Sequence, residues 1–184
     1  MTQKGKFMFF DLIETRRSIR KFQDKPVEKE KVDRLMEAAL RSPSSRSFNP
    51  WRFIVVDKSE LLETLATAKP HGATFLKSAP LGIVVCGDAS ASDVWVEDCA
   101  IASMFIHLAA HSLGLGSCWI QIRKRDHDPT KSADTFIKET LKIPDPIMVE
   151  SIIAVGYADE TKKGHGQGSL HYDKISYNSF SPKG

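Results

Sequence analysis

Positions 16–22 read Arg-Arg-Ser-Ile-Arg-Lys-Phe, four cations and a hydroxyl packed together just past an apolar opening. A guanidinium is a planar fork that grips two oxygens of a phosphate or carboxylate at once, and a serine hydroxyl adds a third donor. The chemistry on offer is the grip of a small anion, although the same residues also suit a solvated helix end beside the negative pole of its dipole. No reactive side chain announces itself elsewhere. There is no Gly-x-Ser-x-Gly elbow and no phosphate loop, and Gly114-Leu115-Gly116 lacks the third glycine and the strand-before-helix setting of a dinucleotide fold. Cys118 sits in an apolar strand pattern where a thiol is inert. His107 and His111 are four apart and could share a helix face. No Cys, Glu or Asp at ligand spacing completes a set with them, so no metal site is expected. An anion clamp without an acid, base or nucleophile points to a cofactor that carries the chemistry.

The chain has to build an element around that clamp, and its 184 residues, 41% of them hydrophobic, are enough for one domain with a real core. Residues 1–184 are read as that domain, with 160–184 a flexible or partner-reaching arm. A net charge of +3 is too mild for a nucleic-acid or membrane binder, so the basic run is a local device. Cys86, Cys99 and Cys118 are isolated in apolar surroundings, which predicts buried thiols in a reducing cytoplasm. The start carries no signal-peptide pattern. Positions 99–122 contain no Asp, Glu, Lys or Arg, a length that could cross a bilayer. Scattered His, Ser and Gln, and the split at Gly114 and Gly116, predict instead a buried helix followed by a strand.

Periodicity places the other elements. Residues 7–16 form a helix with Phe7, Met8, Phe10 and Ile13 on one face, delivering the arginines at its end. A second helix spans 28–40 with Val32, Leu35, Met36, Ala39 and Leu40 inward, stopped by Pro43. Residues 43–51 are a loop by composition, 52–57 a strand, and 59–65 a helix capped by Ser59 with Leu61, Leu62 and Leu65 buried, followed by a short helical piece over 73–77. Residues 81–87 are apolar and β-branched, which suits the middle of a sheet. The helix over 93–113 is acidic at its start and apolar almost all round, so it needs two partners: the sheet and a second subunit. Residues 117–122 and 148–157 are strands, 134–141 a helix, and the chain from 158 onward is polar and glycine-rich.

Taken in order, ETRRSIRKF, SPSSRSFNPWRFIVV, KSAPLGIVVCGD, WVEDCAIAS, LGLGSCWI and IIAVGYADE resemble the nitroreductase-type FMN-dependent flavoproteins over residues 10–160. The resemblance implies an α+β fold with three α/β/α layers, a central mixed sheet, and an intertwined homodimer holding FMN between subunits. It implies an oxidoreductase that passes hydride from NADH or NADPH through flavin N5 to a small acceptor such as a nitroaromatic or a quinone. The same resemblance leaves open a flavin storage or sensing protein, and a reductive dehalogenase or flavin-fragmenting enzyme. By position it gives Arg16, Arg17 and Ser18 to the phosphate and ribityl chain and Arg20 to the flavin's N1 and O2 edge. Pro43, Ser44, Ser45 and Arg46 become the loop that crosses the flavin from the partner subunit, with Asn49 beside them. A backbone N–H at Ile120 or Gln121 is given to N5, and Lys162 and Lys163 to the phosphate. Ser47 and Asn49 stand where many members carry Asn and Gln.

Overall fold

A computed structural model describes residues 9–180 of the chain. The expected helix over 7–16 begins among them as α1 (Phe9–Thr15), while Phe7 and Met8 lie outside the described residues. It is followed by α2 (Lys29–Leu40), β1 (Trp51–Val56), α3 (Ser59–Leu65), β2 (Leu81–Asp88), α4 (Trp95–Ser112), β3 (Gly116–Gln121), α5 (Ala133–Leu141) and β4 (Ile147–Gly156). Single 3-10 turns occupy 45–47, 74–78, 167–169 and 172–174.

The four strands form one sheet in the order β1-β2-β4-β3, every neighbouring pair antiparallel. The mixed sheet that the resemblance implies is realised only at one point. Among the described residues the parallel component is the bridge between Ser18 and Ser117 on the β3 edge. As its run of apolar residues predicts, β2 lies inside the sheet and is buried almost throughout.

Alternation along β2 and β4 splits their side chains between two cores. Val84, Cys86, Ile152 and Ala154 meet Leu62 and Leu65 of α3, Leu76 of the 74–78 turn and Ile137 of α5. Ile83, Val85, Ile153 and Val155 meet Leu35 and Ala39 of α2 and Cys99, Ala102, Ile106 and Ala110 of α4. Helices on both faces of one sheet give three layers. At Glu150 the register slips, Val85 facing Ser151 and Cys86 facing Val149, so Glu150 is the extra residue of a β-bulge.

All three cysteines are free and buried. The charge-free stretch from Cys99 divides as its glycines predict, with α4 ending at Ser112 and β3 starting at Gly116. No helix among the described residues is long and apolar enough to cross a membrane.

Four expectations change. Ser59 is the first residue of α3 and makes no capping bond; Lys58 holds the cap position. The piece after α3 is a 3-10 turn over 74–78. Leu40, read as inward, is 58% exposed, because it lies one residue round the helix from Ala39, which takes the buried face. The apolar face of α1 is also uncovered: Phe9, Phe10 and Ile13 are exposed, as are Ile101, Met104 and Phe105 on the outer side of α4.

Candidate functional site

The basic run leaves α1 in an extended conformation and lies along the outer edge of β3. Ser18 bridges Ser117, and the Ile19 N–H donates to the Ser117 carbonyl at 3.0 Å. Ile19 is buried there because position 116 has no side chain: a Cβ on Gly116 would sit 2.8 Å from the Ile19 Cβ. Gly116→Val is therefore expected to lift the 16–20 segment off the sheet and destabilise the fold by about 1–3 kcal/mol, the usual cost of overpacking. Urea melts of the two proteins check this.

The chain then returns after β4 and runs beside the same segment. Phe22 bridges Ala158, and the Asp159 N–H donates to the Lys21 carbonyl at 2.9 Å. Glu160 Oε1 accepts the N–H groups of Arg20 at 2.6 Å and Lys21 at 3.3 Å. Lys162 Nζ donates to the Ser18 carbonyl at 2.8 Å and pairs with Glu160 at 2.9 Å, and the Arg17 guanidinium donates to the Lys163 carbonyl. The His165 N–H donates to the Glu14 carbonyl at 3.2 Å, an approach that only glycine at 164 permits, since a Cβ there would lie 2.2 Å from that oxygen. The polar tail is thus held by its main chain as far as His165, and the two lysines that come late in the sequence arrive among the early arginines.

These residues enclose a cavity of about 330 Å³ whose lining includes Arg16, Arg17, His111, Lys162, residues 114–117 and the carboxylate residue Glu160. Arg16 is half-buried there, and among the described residues no carboxylate or carbonyl takes up its guanidinium. His111 Nε2 is hydrogen-bonded to Thr15 Oγ1 at 2.8 Å, and His107 Nδ1 to Ser117 Oγ at 2.7 Å. Burial, then the charge of Arg16, pushes the His107 pKa down to about 4 and lowers that of His111. Both rings are therefore held neutral. Two guanidinium groups, an imidazole and an ammonium that Glu160 partly offsets leave a net positive cavity, which suits a phosphate monoester.

Cys118 sits under the same cations. Burial raises its pKa against the opposing pull of Arg20, Lys162 and Arg16, so it stays a thiol and offers no nucleophile. The pKa of Lys69 is lowered by burial and then by Arg125. Sequence reading pairs His111 with His107 on one helix face but gives it no place beside the arginines; helix packing puts it there. Arg20 is exposed, with its guanidinium 5.8 Å from the Phe75 ring centre.

The β3 edge offers main-chain donors. Ser117 turns its carbonyl away from β4 to meet Ile19, while the Ile122 N–H turns toward Glu150. The two-residue period of an antiparallel ladder then aims the main chain of Trp119 and Gln121 outward and that of Ile120 into the sheet. Of the pair Ile120 and Gln121, Gln121 has the outward N–H. Its side chain is fixed, Oε1 accepting Trp119 Nε1 and Nε2 donating to the Arg123 carbonyl, both at 2.9 Å.

Pro43, Ser44, Ser45, Arg46 and Asn49 do not join this group within one chain. Their loop leads into β1, the opposite edge strand, about 14 Å across the sheet at the usual strand spacing. It is tied to Asp98 in the first turn of α4, whereas the cation cavity meets His111 in the last turn, about 20 Å along the axis at 1.5 Å per residue. A larger groove of about 860 Å³ lies elsewhere, between the start of α2, the end of β1 and the 77–80 segment, with mixed charges and no convergent set of donors.

Comparison with known proteins identifies the class to which this three-layer α+β domain belongs. The family profile described as the Nitroreductase family matches residues 13–69 and 66–157. The chain belongs to the nitroreductase family. It is similar to the solved structure of an FMN-dependent nitroreductase from Clostridium difficile R20291, with 48% identity, a TM-score of 0.92, and coverage of 94% of this chain and 100% of that one. A solved structure from Parabacteroides distasonis, described as a "Putative NADH dehydrogenase/NAD(P)H nitroreductase", is 36% identical with a TM-score of 0.85, covering 93% and 98% of the two chains. A Methanothermobacter thermautotrophicus protein of the same description is 41% identical over 85% of this chain and 80% of its own length.

Proposed function

We propose that this protein is an FMN-dependent oxidoreductase that draws on NADH or NADPH and reduces a small acceptor, a nitroaromatic or a quinone, as a homodimer in the cytoplasm. The observation that carries this reading is the convergence of Arg16, Arg17 and Lys162 on one cavity at the outer edge of β3, with an outward main chain at Gln121 farther along the same strand. Two of the compared proteins support the donor by their description and one supports the cofactor.

Arg16, Arg17, Ser18, Lys162 and Lys163 would hold the phosphate end of FMN. Arg20 would stand at the pyrimidine edge, where a fixed cation favours the negative charge that reduction adds. The Gln121 N–H would orient the ring along β3. Bound FMN would supply the redox chemistry, taking hydride from the nicotinamide and handing it to the acceptor. The side chains then need only bind, orient and exclude water.

A second copy completes the site. The loop bearing Pro43, Ser44, Ser45, Arg46 and Asn49 reaches no clamp in its own chain, and Phe10, Ile13, Ile101, Met104 and Phe105 leave an apolar surface to be covered. Leu170, Tyr172, Ile175, Tyr177 and Phe180 are exposed along the terminal arm, which would lie against that second copy.

The test is the visible spectrum of protein incubated with FMN and freed of excess, followed by anaerobic NADPH and then NADH. Retained flavin that bleaches with either donor is the expected result. Flavin that stays oxidised with both would make this a storage or sensing protein, and no retained flavin would overturn the cofactor assignment.

A further inference from the structure

Asp98 is a carboxylate that folding alone does not explain. It lies in the first turn of α4, only 2% exposed, and among the described residues no cation pairs with it. Burying a charge this way is costly unless hydrogen bonds and a favourable dipole offset it. The helix dipole is already served by its neighbour Glu97, which is exposed. What Asp98 adds is a grip on the 44–49 loop: Oδ1 accepts the Ser45 N–H at 2.8 Å, while Oδ2 accepts Ser92 Oγ at 3.3 Å. Ser92 Oγ is itself held by the Val94 N–H at 3.3 Å, so the carboxylate is braced from the body of the protein.

The gripped loop is strained. Arg46, Ser47 and Asn49 all have left-handed backbones, with φ of 50°, 56° and 49°. Such conformations persist where the surroundings impose them. Inside the loop, Ser44 Oγ donates to Asn49 Oδ1 at 2.7 Å and accepts the Asn49 N–H at 2.9 Å. Those bonds shape the loop. The Asp98 bond attaches its start to α4, at the sheet edge opposite the cation cavity, while the Arg52 guanidinium donates to the Asn49 carbonyl at its end at 3.4 Å.

We propose that Asp98 is the positioning residue that sets the 44–49 loop over the FMN held by the other subunit. One helix then serves two sites, its Asp98 end bracing the loop for the partner's flavin and its His111 end backing the phosphate cavity of its own. The inference rests on the FMN reading above, and its test separates the two failures.

Flavin fluorescence titration of Asp98→Ala is expected to show FMN binding weakened about tenfold or more, the usual consequence of losing a hydrogen bond to a charged group. Asp98→Asn, which keeps an acceptor oxygen, should stay within about threefold of wild type. If Asp98→Ala does not fold, Asp98→Glu keeps the charge, shifts the grip by one methylene, and carries the same experiment. The decisive readout is complementation. In a heterodimer of one Asp98→Ala subunit and one Arg16→Ala subunit, one site inherits both lesions and the other neither. Such a heterodimer, isolated through two different affinity tags, is expected to bind one FMN per dimer with wild-type affinity. A merely structural role would not restore that site. A folded Asp98→Ala dimer with wild-type affinity, or a heterodimer without a wild-type site, overturns the proposal, whereas wild-type protein that binds no FMN overturns the cofactor reading instead.

Discussion

Arg16→Ala is expected to weaken FMN binding by about 1.5–3 kcal/mol, roughly 10- to 150-fold, the worth of a charged hydrogen bond. The choice of Arg16 among the cations follows from where each is held. Arg17 already donates to the Lys163 carbonyl, Lys162 is paired with Glu160, and Arg20 is exposed beside Phe75. Arg16 is half-buried, lines the cavity, and has no partner among the described residues, so its guanidinium is the one whose hydrogen-bonding capacity an incoming phosphate would satisfy. Fluorescence titration of flavin measures the loss, and affinity that is unchanged in a folded protein would remove the clamp from the argument. The same variant carries an internal control. Arg16 lowers the pKa of both His107 and His111, so both should rise in Arg16→Ala, which ring-proton NMR titration can follow.

The second large effect concerns stability. His107 has an ordinary pKa of 6.5 and is pushed down to about 4 in the folded protein, chiefly by burial. The unfolded chain therefore takes up a proton below 6.5 that the folded chain refuses until about 4. The contribution is intact at neutral pH and is lost progressively as pH falls through that window, amounting to about 3 kcal/mol in total. His111 works in the same direction. Glu28, whose carboxyl is pulled to about 2 by its bond from the Tyr157 hydroxyl, loses its contribution only at lower pH, between 4.5 and 2. The windows are thus separable. His107→Asn keeps a polar group beside Ser117 without a titrating ring. Its urea-melt stability should fall less steeply than wild type between pH 6.5 and 4, by up to about 1.4 kcal/mol per pH unit. Parallel pH profiles for the two proteins would contradict the burial argument.

The local parts of this protein are legible in its sequence because they rest on local physics. The apolar β-branched run of β2, the turn between α4 and β3, the three-residue and four-residue spacing of Val32, Leu35 and Ala39, and the cation run itself are all decided within a dozen neighbouring residues. The ordered motifs extend that to the family and to the three layers. Periodicity says that a face is apolar but not what covers it, so Leu40, Phe10 and Ile13 read as core and are exposed in the single chain.

Only the tertiary structure decides what depends on register between distant segments. It places Lys162 on Ser18, 144 positions away, through main-chain contacts that leave no composition signal. It brings His111 to Thr15 by packing two helices that no motif connects. It also sets the clamp and the 44–49 loop on opposite edges of one sheet, because the strand order β1-β2-β4-β3 separates two segments that the sequence places only about thirty residues apart. A linear motif specifies which groups are present; the antiparallel register and the length of α4 determine that the clamp and the 44–49 loop do not meet within one chain.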